Sequence, residues 1–228
     1  MNGILGKKIG MTNIFDKDGY FVPVTVIEAG PCYVLGTKTQ EKEGYQAVIL
    51  GYGELKPEKA KKPQKAWFGK LKMAPKRMIK EIRTDKAAEY KVGDKISIKI
   101  FKAGDYVDVS GTTKGKGFQG VVRRWKWKGG DRGHGSMFHR APGSIGASSD
   151  PSRVFKGHPL PGHMGAKKRT IQNLEIVDVN EEKGLLLIKG AVPGHKNSYV
   201  LIRHAKKIAP QREEKSDNEP AKDKGQKK

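Results

Sequence analysis

The chain has 228 residues, with 46 Lys and Arg against 24 Asp and Glu, a formal charge of +22, and only 36% hydrophobic residues. That balance excludes a neutral, charge-balanced enzyme: so large an excess of one sign repels itself in a compact state and is tolerated when the partner is a polyanion. A nucleic acid or an anionic membrane surface fits, but no apolar run approaches the roughly 18 residues of a membrane span.

Residues 1–12 lack the apolar stretch and cleavage site of a secretory signal, and Cys32 is the only cysteine, so no intrachain disulfide can form. The expectation is a soluble, intracellular protein. From there to about residue 110 the sequence is a succession of short stretches rich in Val, Ile and Tyr, separated by compact turn signals, which is the pattern of strands. Asp16-Lys17-Asp18-Gly19 and Glu41-Lys42-Glu43-Gly44 read as hairpin loops in which Gly supplies a positive φ. Residues 64–73 interrupt the strands: Trp67 and Leu71 stand four apart between Pro63 and Pro75, and a short surface helix is expected. In residues 95–100, Ile96, Ile98 and Ile100 alternate with Lys95, Ser97 and Lys99, as in a strand with one buried and one wet face. A third hairpin is expected around residues 180–184, and a last strand over residues 199–202.

Between Gly111 and Thr170 the composition changes. Sixty residues hold 13 Lys and Arg, two acids (Asp131 and Asp150), 13 glycines and only five Val, Leu or Ile. Such a segment cannot build its own core, and a loop of that length in a compact protein implies a task. It reads as an insertion, residues 111–169, projecting from a discontinuous β body made of residues 1–110 and 170–208. Residues 209–228 are nearly devoid of apolar side chains and are expected to be a disordered tail.

Several chemistries fail on the insertion. Gly115-Lys116-Gly117-Phe118-Gln119-Gly120 fits a dinucleotide or kinase glycine loop, but Arg123, Arg124, Lys126 and Lys128 follow where a ribose-binding acid is needed, and no Asp-Phe-Gly occurs. No Gly-Lys pair is followed by Ser or Thr, so a P-loop is excluded. His134, His139, His158 and His163 form pairs spaced by five without nearby cysteine, which does not place zinc ligands on one helix face. Neither a metal, a cofactor, a small-molecule substrate nor a catalytic set is expected. What remains is an alternation of positive and flat side chains, Arg123-Arg124-Trp125-Lys126-Trp127-Lys128, then Arg132, His134, Phe138, His139 and Arg140. Lys and Arg neutralise phosphates, rings stack on exposed bases, and glycine lets backbone approach a crowded surface, which together point to folded RNA. Trp125 and Trp127 also fit satellite core residues. Lys7 and Lys8 fit either RNA contacts or the flanks of a strand. An enzyme acting on RNA through the glycine loop, and a free-standing nucleic-acid module, remain alternatives.

The same residues carry a resemblance. Phe101, Asp108, Gly111, Thr113, Gly115-Lys116-Gly117, Gly120 and Arg124 reproduce in order the signature of the ribosomal protein L3 family. Residues 6–12, 139–146, 155–157, 161–165 and 187–194 resemble further segments of its bacterial form, so the resemblance spans nearly residues 3–205. It implies a mainly β protein: a translation-protein-type β-barrel body with a long, basic, largely irregular insertion. It also implies a structural, non-enzymatic role in the cytoplasmic large ribosomal subunit, with large-subunit ribosomal RNA and neighbouring ribosomal proteins as partners, no membrane, and a part early in assembly. The loop tip, about residues 143–153, would approach the peptidyl transferase centre, on a basic stem of residues 114–132 and 156–169. RNA-binding candidates are then Lys7, Lys8, Lys114, Lys116, Arg123, Arg124, Trp125, Lys126, Trp127, Lys128, Arg132, His134, His139, Arg140, Arg153, Lys156, His158, His163, Lys167, Lys168 and Arg169. Some relatives carry a methylated glutamine in the tip. Here Ala147-Ser148-Ser149 stands there, and that modification is not implied.

Overall fold

The computed structural model describes residues 2–16 and 18–208; the expected tail lies outside the described residues. In chain order the elements are β1 (Gly3–Phe15), β2 (Phe21–Ala29), β3 (Cys32–Lys38), α1 (Gln40–Glu43), β4 (Ala47–Glu54), α2 (Lys62–Lys70), β5 (Lys76–Arg83) and β6 (Lys95–Ile96). They continue with β7 (Tyr106–Thr112), β8 (Phe118–Gln119), α3 (Val121–Trp125), β9 (Gly162–His163), β10 (Lys168–Asn180), β11 (Leu185–Lys189) and β12 (Tyr199–His204).

Six of these strands close a barrel in the order β1-β12-β7-β10-β11-β2, every neighbouring pair antiparallel. Closure leaves no edge within the ring. Inward-facing positions are β-branched or Leu: Ile4, Val24, Ile27, Val107, Val109, Ile176, Leu186, Ile188, Val200 and Ile202 are all fully buried. In β11 the run Leu185-Leu186-Leu187-Ile188 looks uniformly apolar, yet only Leu186 and Ile188 are buried, because successive side chains in a strand face opposite ways. Each such burial contributes about 1.5–3 kcal/mol.

The expected hairpins form. Phe15 pairs with Phe21, Lys38 with Ala47 and Asn180 with Leu185, the second pair joined through the single helical turn α1, whose Gly44 cap has φ 76°. Three expectations are corrected. Residues 1–110 are not one barrel: β3 to β6 form a separate four-stranded sheet, ordered β5-β4-β3-β6. The chain leaves the barrel after Ala29, where Gly30 (φ 74°) and Pro31 redirect it. The two sheets nevertheless share one core, since Val34, Val48, Leu50 and Ile82 of the second sheet cluster with Ile4, Leu5 and Ile202 of the barrel. Second, residues 95–100 are not one strand. Backbone partners exist only at Cys32 and Tyr33, so β6 stops at Ile96 and a 3-10 turn over Ile98–Ile100 follows, while Ile96 and Ile98 stay buried and Ile100 is half-buried. Third, the helix runs Lys62–Lys70 with Pro63 inside its first turn, and its buried residue is Phe68.

Cys32 begins β3 against the barrel wall, fully buried, with its thiol donating to the Leu5 carbonyl at 3.4 Å. Burial pushes its pKa up to about 12, outweighing the backbone hydrogen bonds that pull it down. A buried, protonated thiol is a poor nucleophile. Iodoacetamide near pH 8 is therefore expected to alkylate the native protein only at the rate of unfolding, and the urea-unfolded chain at once; rapid labelling of the native protein would show that the junction of the two sheets is open.

Candidate nucleic-acid interface

β7 and β10 leave the barrel together. Their pairing runs from Tyr106 opposite Glu175 out to Thr112 opposite Lys168, interrupted by a bulge between Ile171 and Leu174. Asp108, which is buried, accepts the Asn173 backbone N–H at 3.0 Å and so stitches the bulge, where Asn173 itself has φ 56°. Gly111 sits where a Cβ would come within 3.0 Å of the Pro193 carbonyl. Phe101 is buried with its ring 4.6 Å from that of His204. The first half of the sequence signature is thus barrel core and exit strand.

Beyond the barrel the two segments continue as a stem. The Thr113 N–H donates to the Lys167 carbonyl at 3.0 Å, Lys116 N–H to Met164 at 2.9 Å, and Met164 N–H to Gly117 at 2.9 Å. β8 and β9 then pair Phe118 with His163. Gly165, at φ 78°, allows this approach, because a Cβ there would overlap the Lys114 carbonyl. The glycine loop is therefore a stem crossing. The Lys116 amide, which a phosphate loop would aim at a ligand, is bonded to Met164. Gly120 caps the five-residue α3, which ends at Lys126 in left-handed conformation.

From residue 112 to residue 170 the only buried side chain is Val121. Lys114, Lys116, Arg123, Lys126, Lys128, Arg132, Arg140, Arg153, Lys156, Lys167, Lys168 and Arg169 are exposed, as are His134, His139 and His163. Arg124 and His158 are half-buried. The ion pairs among the described residues, such as Lys38 with Glu81 at 2.9 Å and Lys189 with Glu175 at 3.1 Å, lie on the body, and none involves a finger cation. Trp125 is 47% exposed with its Nε1 donating to the Leu160 carbonyl at 2.9 Å, while Trp127 is half-buried beside His158, ring centroids 6.1 Å apart. Both tryptophans pack at the base of the finger and keep part of their rings in solvent.

The fold brings Lys114, Lys116, Arg124, Trp125, His163, Lys167 and Arg169 around one cleft of about 350 Å³. It separates them from Arg132, His134, His139, Arg140, Arg153 and Lys156, which lie on the outer segment. There the backbone bonds are local, such as Gly130 N–H to the His139 carbonyl at 3.0 Å and Ser136 N–H to Gly133 at 3.2 Å. Lys8 points inward: it is buried, its ammonium donates to the Val192 carbonyl at 2.8 Å, and burial, followed by repulsion from Lys114, lowers its pKa. Lys7 is half-buried on the same strand. A second groove, of about 1000 Å³, adds cations that the sequence did not single out, Arg83, Arg203 and Lys206, beside Lys168. All three lie outside residues 111–169, the segment that composition sets apart.

Comparison with known proteins follows the same residues. A family model described as Ribosomal protein L3 matches residues 83–185. The chain is 52% identical over 204 residues to the large ribosomal subunit protein uL3 of Syntrophus aciditrophicus (strain SB), covering 90% of this chain and 94% of the relative. It is 53% identical over 207 residues to the large ribosomal subunit protein uL3 of Syntrophotalea carbinolica (strain DSM 2380 / NBRC 103641 / GraBd1), covering 90% and 99%.

The bulge that aims the stem depends on the Asp108 carboxylate. Replacing it as Asp108→Ala leaves the Asn173 N–H without its acceptor and is expected to lower stability to urea by about 1–3 kcal/mol. An unchanged midpoint would show that the bulge holds itself.

Proposed function

The chain belongs to the uL3 family of large-subunit ribosomal proteins, and from that membership we propose that its finger binds large-subunit ribosomal RNA while the barrel seats on the particle. It is a structural constituent of the large ribosomal subunit in the cytoplasm. The observation that carries the RNA reading is the finger itself: 13 Lys and Arg in residues 111–170, none in an ion pair among the described residues, on a segment with one buried side chain beyond Gly111. A solvated surface of a free protein would mix signs. Here a polyanion supplies the missing charge.

The stem and the outer segment then differ in role. The stem is held by β7, β10 and the crossing at β8 and β9. The outer residues, 131–158, have only local bonds and take their fixed shape against RNA, as coupled folding allows. Extending from the barrel, they reach toward the peptidyl transferase centre, where the RNA performs the chemistry, and early seating of the finger helps nucleate assembly. The barrel's outer wall and the second sheet are left for neighbouring ribosomal proteins.

Phosphate contacts make the binding steeply salt-dependent. If about half of the finger cations reach phosphates, affinity for a large-subunit RNA fragment is expected to fall by roughly three decades between about 50 and 200 mM salt. Charge reversal at Arg123, Arg124 and Lys126 is expected to weaken binding and reduce the salt slope by about one for each phosphate no longer neutralised. Filter binding across a salt series checks both, and an unchanged slope would remove this stretch from the interface.

A further inference from the structure

The cleft at the finger's base gathers cations around one guanidinium that the backbone holds in place. The Leu160 carbonyl accepts from both the Arg124 guanidinium and the Trp125 indole, and the guanidinium lies 5.0 Å from the Trp125 ring. Two residues on from Leu160, Gly162 lies so close that a Cβ there would stand 2.7 Å from Arg124 Nη1. The arginine is thereby fixed by the backbone of residues 160–162, and its fork retains further N–H donors. Lys114, Lys116, Lys167 and Arg169 complete the lining, and no carboxylate is among the residues of the cleft. Five like charges around a space of about 350 Å³ repel one another, and the arrangement is relieved by an anion.

We infer that this cleft is a phosphate seat already built in the free protein, and that its occupant in the particle is a backbone phosphate of ribosomal RNA. The inference rests on the RNA-binding reading and adds to it a fixed first contact, made before the outer segment takes its shape. Arg124 supplies the planar fork that matches phosphate oxygens, and the lysines act as point charges around it. A soluble phosphate offers the same chemistry, so the test separates the two sources.

The full-length protein, freed of RNA and labelled with nitrogen-15, is titrated with pyrophosphate at low salt while the Trp125 indole N–H is followed by NMR. A saturable shift is expected. Gly162→Ala, which displaces the guanidinium without changing charge, and Arg124→Lys, which keeps the charge and loses the fork, are each expected to weaken it by about tenfold. Lys65→Gln, exposed on α2 of the body, is expected to leave it unchanged. If Gly162→Ala fails to fold, Arg124→Lys decides. A large-subunit RNA fragment is then added, and displacement of pyrophosphate is the expected result. Absence of a saturable shift in a protein that still binds the RNA fragment overturns the preformed seat while the RNA reading stands. Pyrophosphate that binds but is not displaced by bound RNA assigns the cleft to a soluble phosphate and overturns the RNA occupant. Failure to bind the RNA fragment at all overturns the RNA reading, and this inference with it.

Discussion

Uncompensated positive charge on a segment without a core is the constraint from which the rest of the structure follows. Hydrophobic burial cannot hold residues 112–170, because Val121 alone is buried there. Ion pairing does not hold them either, since the acids that pair with lysine or arginine among the described residues are on the body. Two sources of order remain: backbone hydrogen bonds continued outward from the barrel, and an external polyanion. The first decays with distance from the barrel and the second takes over.

The barrel therefore works as an anchor. A closed antiparallel ring fixes β7 and β10 on both sides, β7 between β12 and β10, and β10 between β7 and β11. Because both strands extend past the ring, their direction is set by the closed barrel. Asp108 and Gly111 tune that exit, one by capping a bulge and the other by letting the Pro193 carbonyl come close. Lys8 belongs to this layer as well. Its ammonium ties β1 to Val192 inside the protein, so it is a structural cation.

Much of this was legible in the sequence, for physical reasons that differ by element. Hairpin loops at Gly19, Gly44 and Gly184 are local, needing one residue at positive φ, and all three glycines have it. The insertion was legible through composition, since a lack of apolar residues is visible without coordinates. What failed depended on partners distant in sequence. The alternation at residues 95–100 marked the inward side, with Ile96 and Ile98 buried and Ile100 half-buried, but could not reveal that β3 offers ladder partners only to the first two residues. That β3 to β6 form their own sheet follows from the redirection at Gly30 and Pro31, which a succession of strand-like stretches does not reveal. Lys8 differs from Lys7 only in the direction its side chain takes from the strand. The cleft joins residues 114, 124 and 167, and its geometry turns on the Leu160 carbonyl and the missing Cβ of Gly162, neither of which is a charged residue.

Hydrogen exchange of the intact protein, free and bound to a large-subunit RNA fragment, tests the division of labour between barrel and polyanion most directly. The account predicts slow exchange in β7, β10 and the rest of the barrel in both states, with amides of residues 131–158 exchanging freely until RNA is bound and protected afterwards. Strong protection of residues 131–158 in the RNA-free protein, or none in the complex, would contradict it.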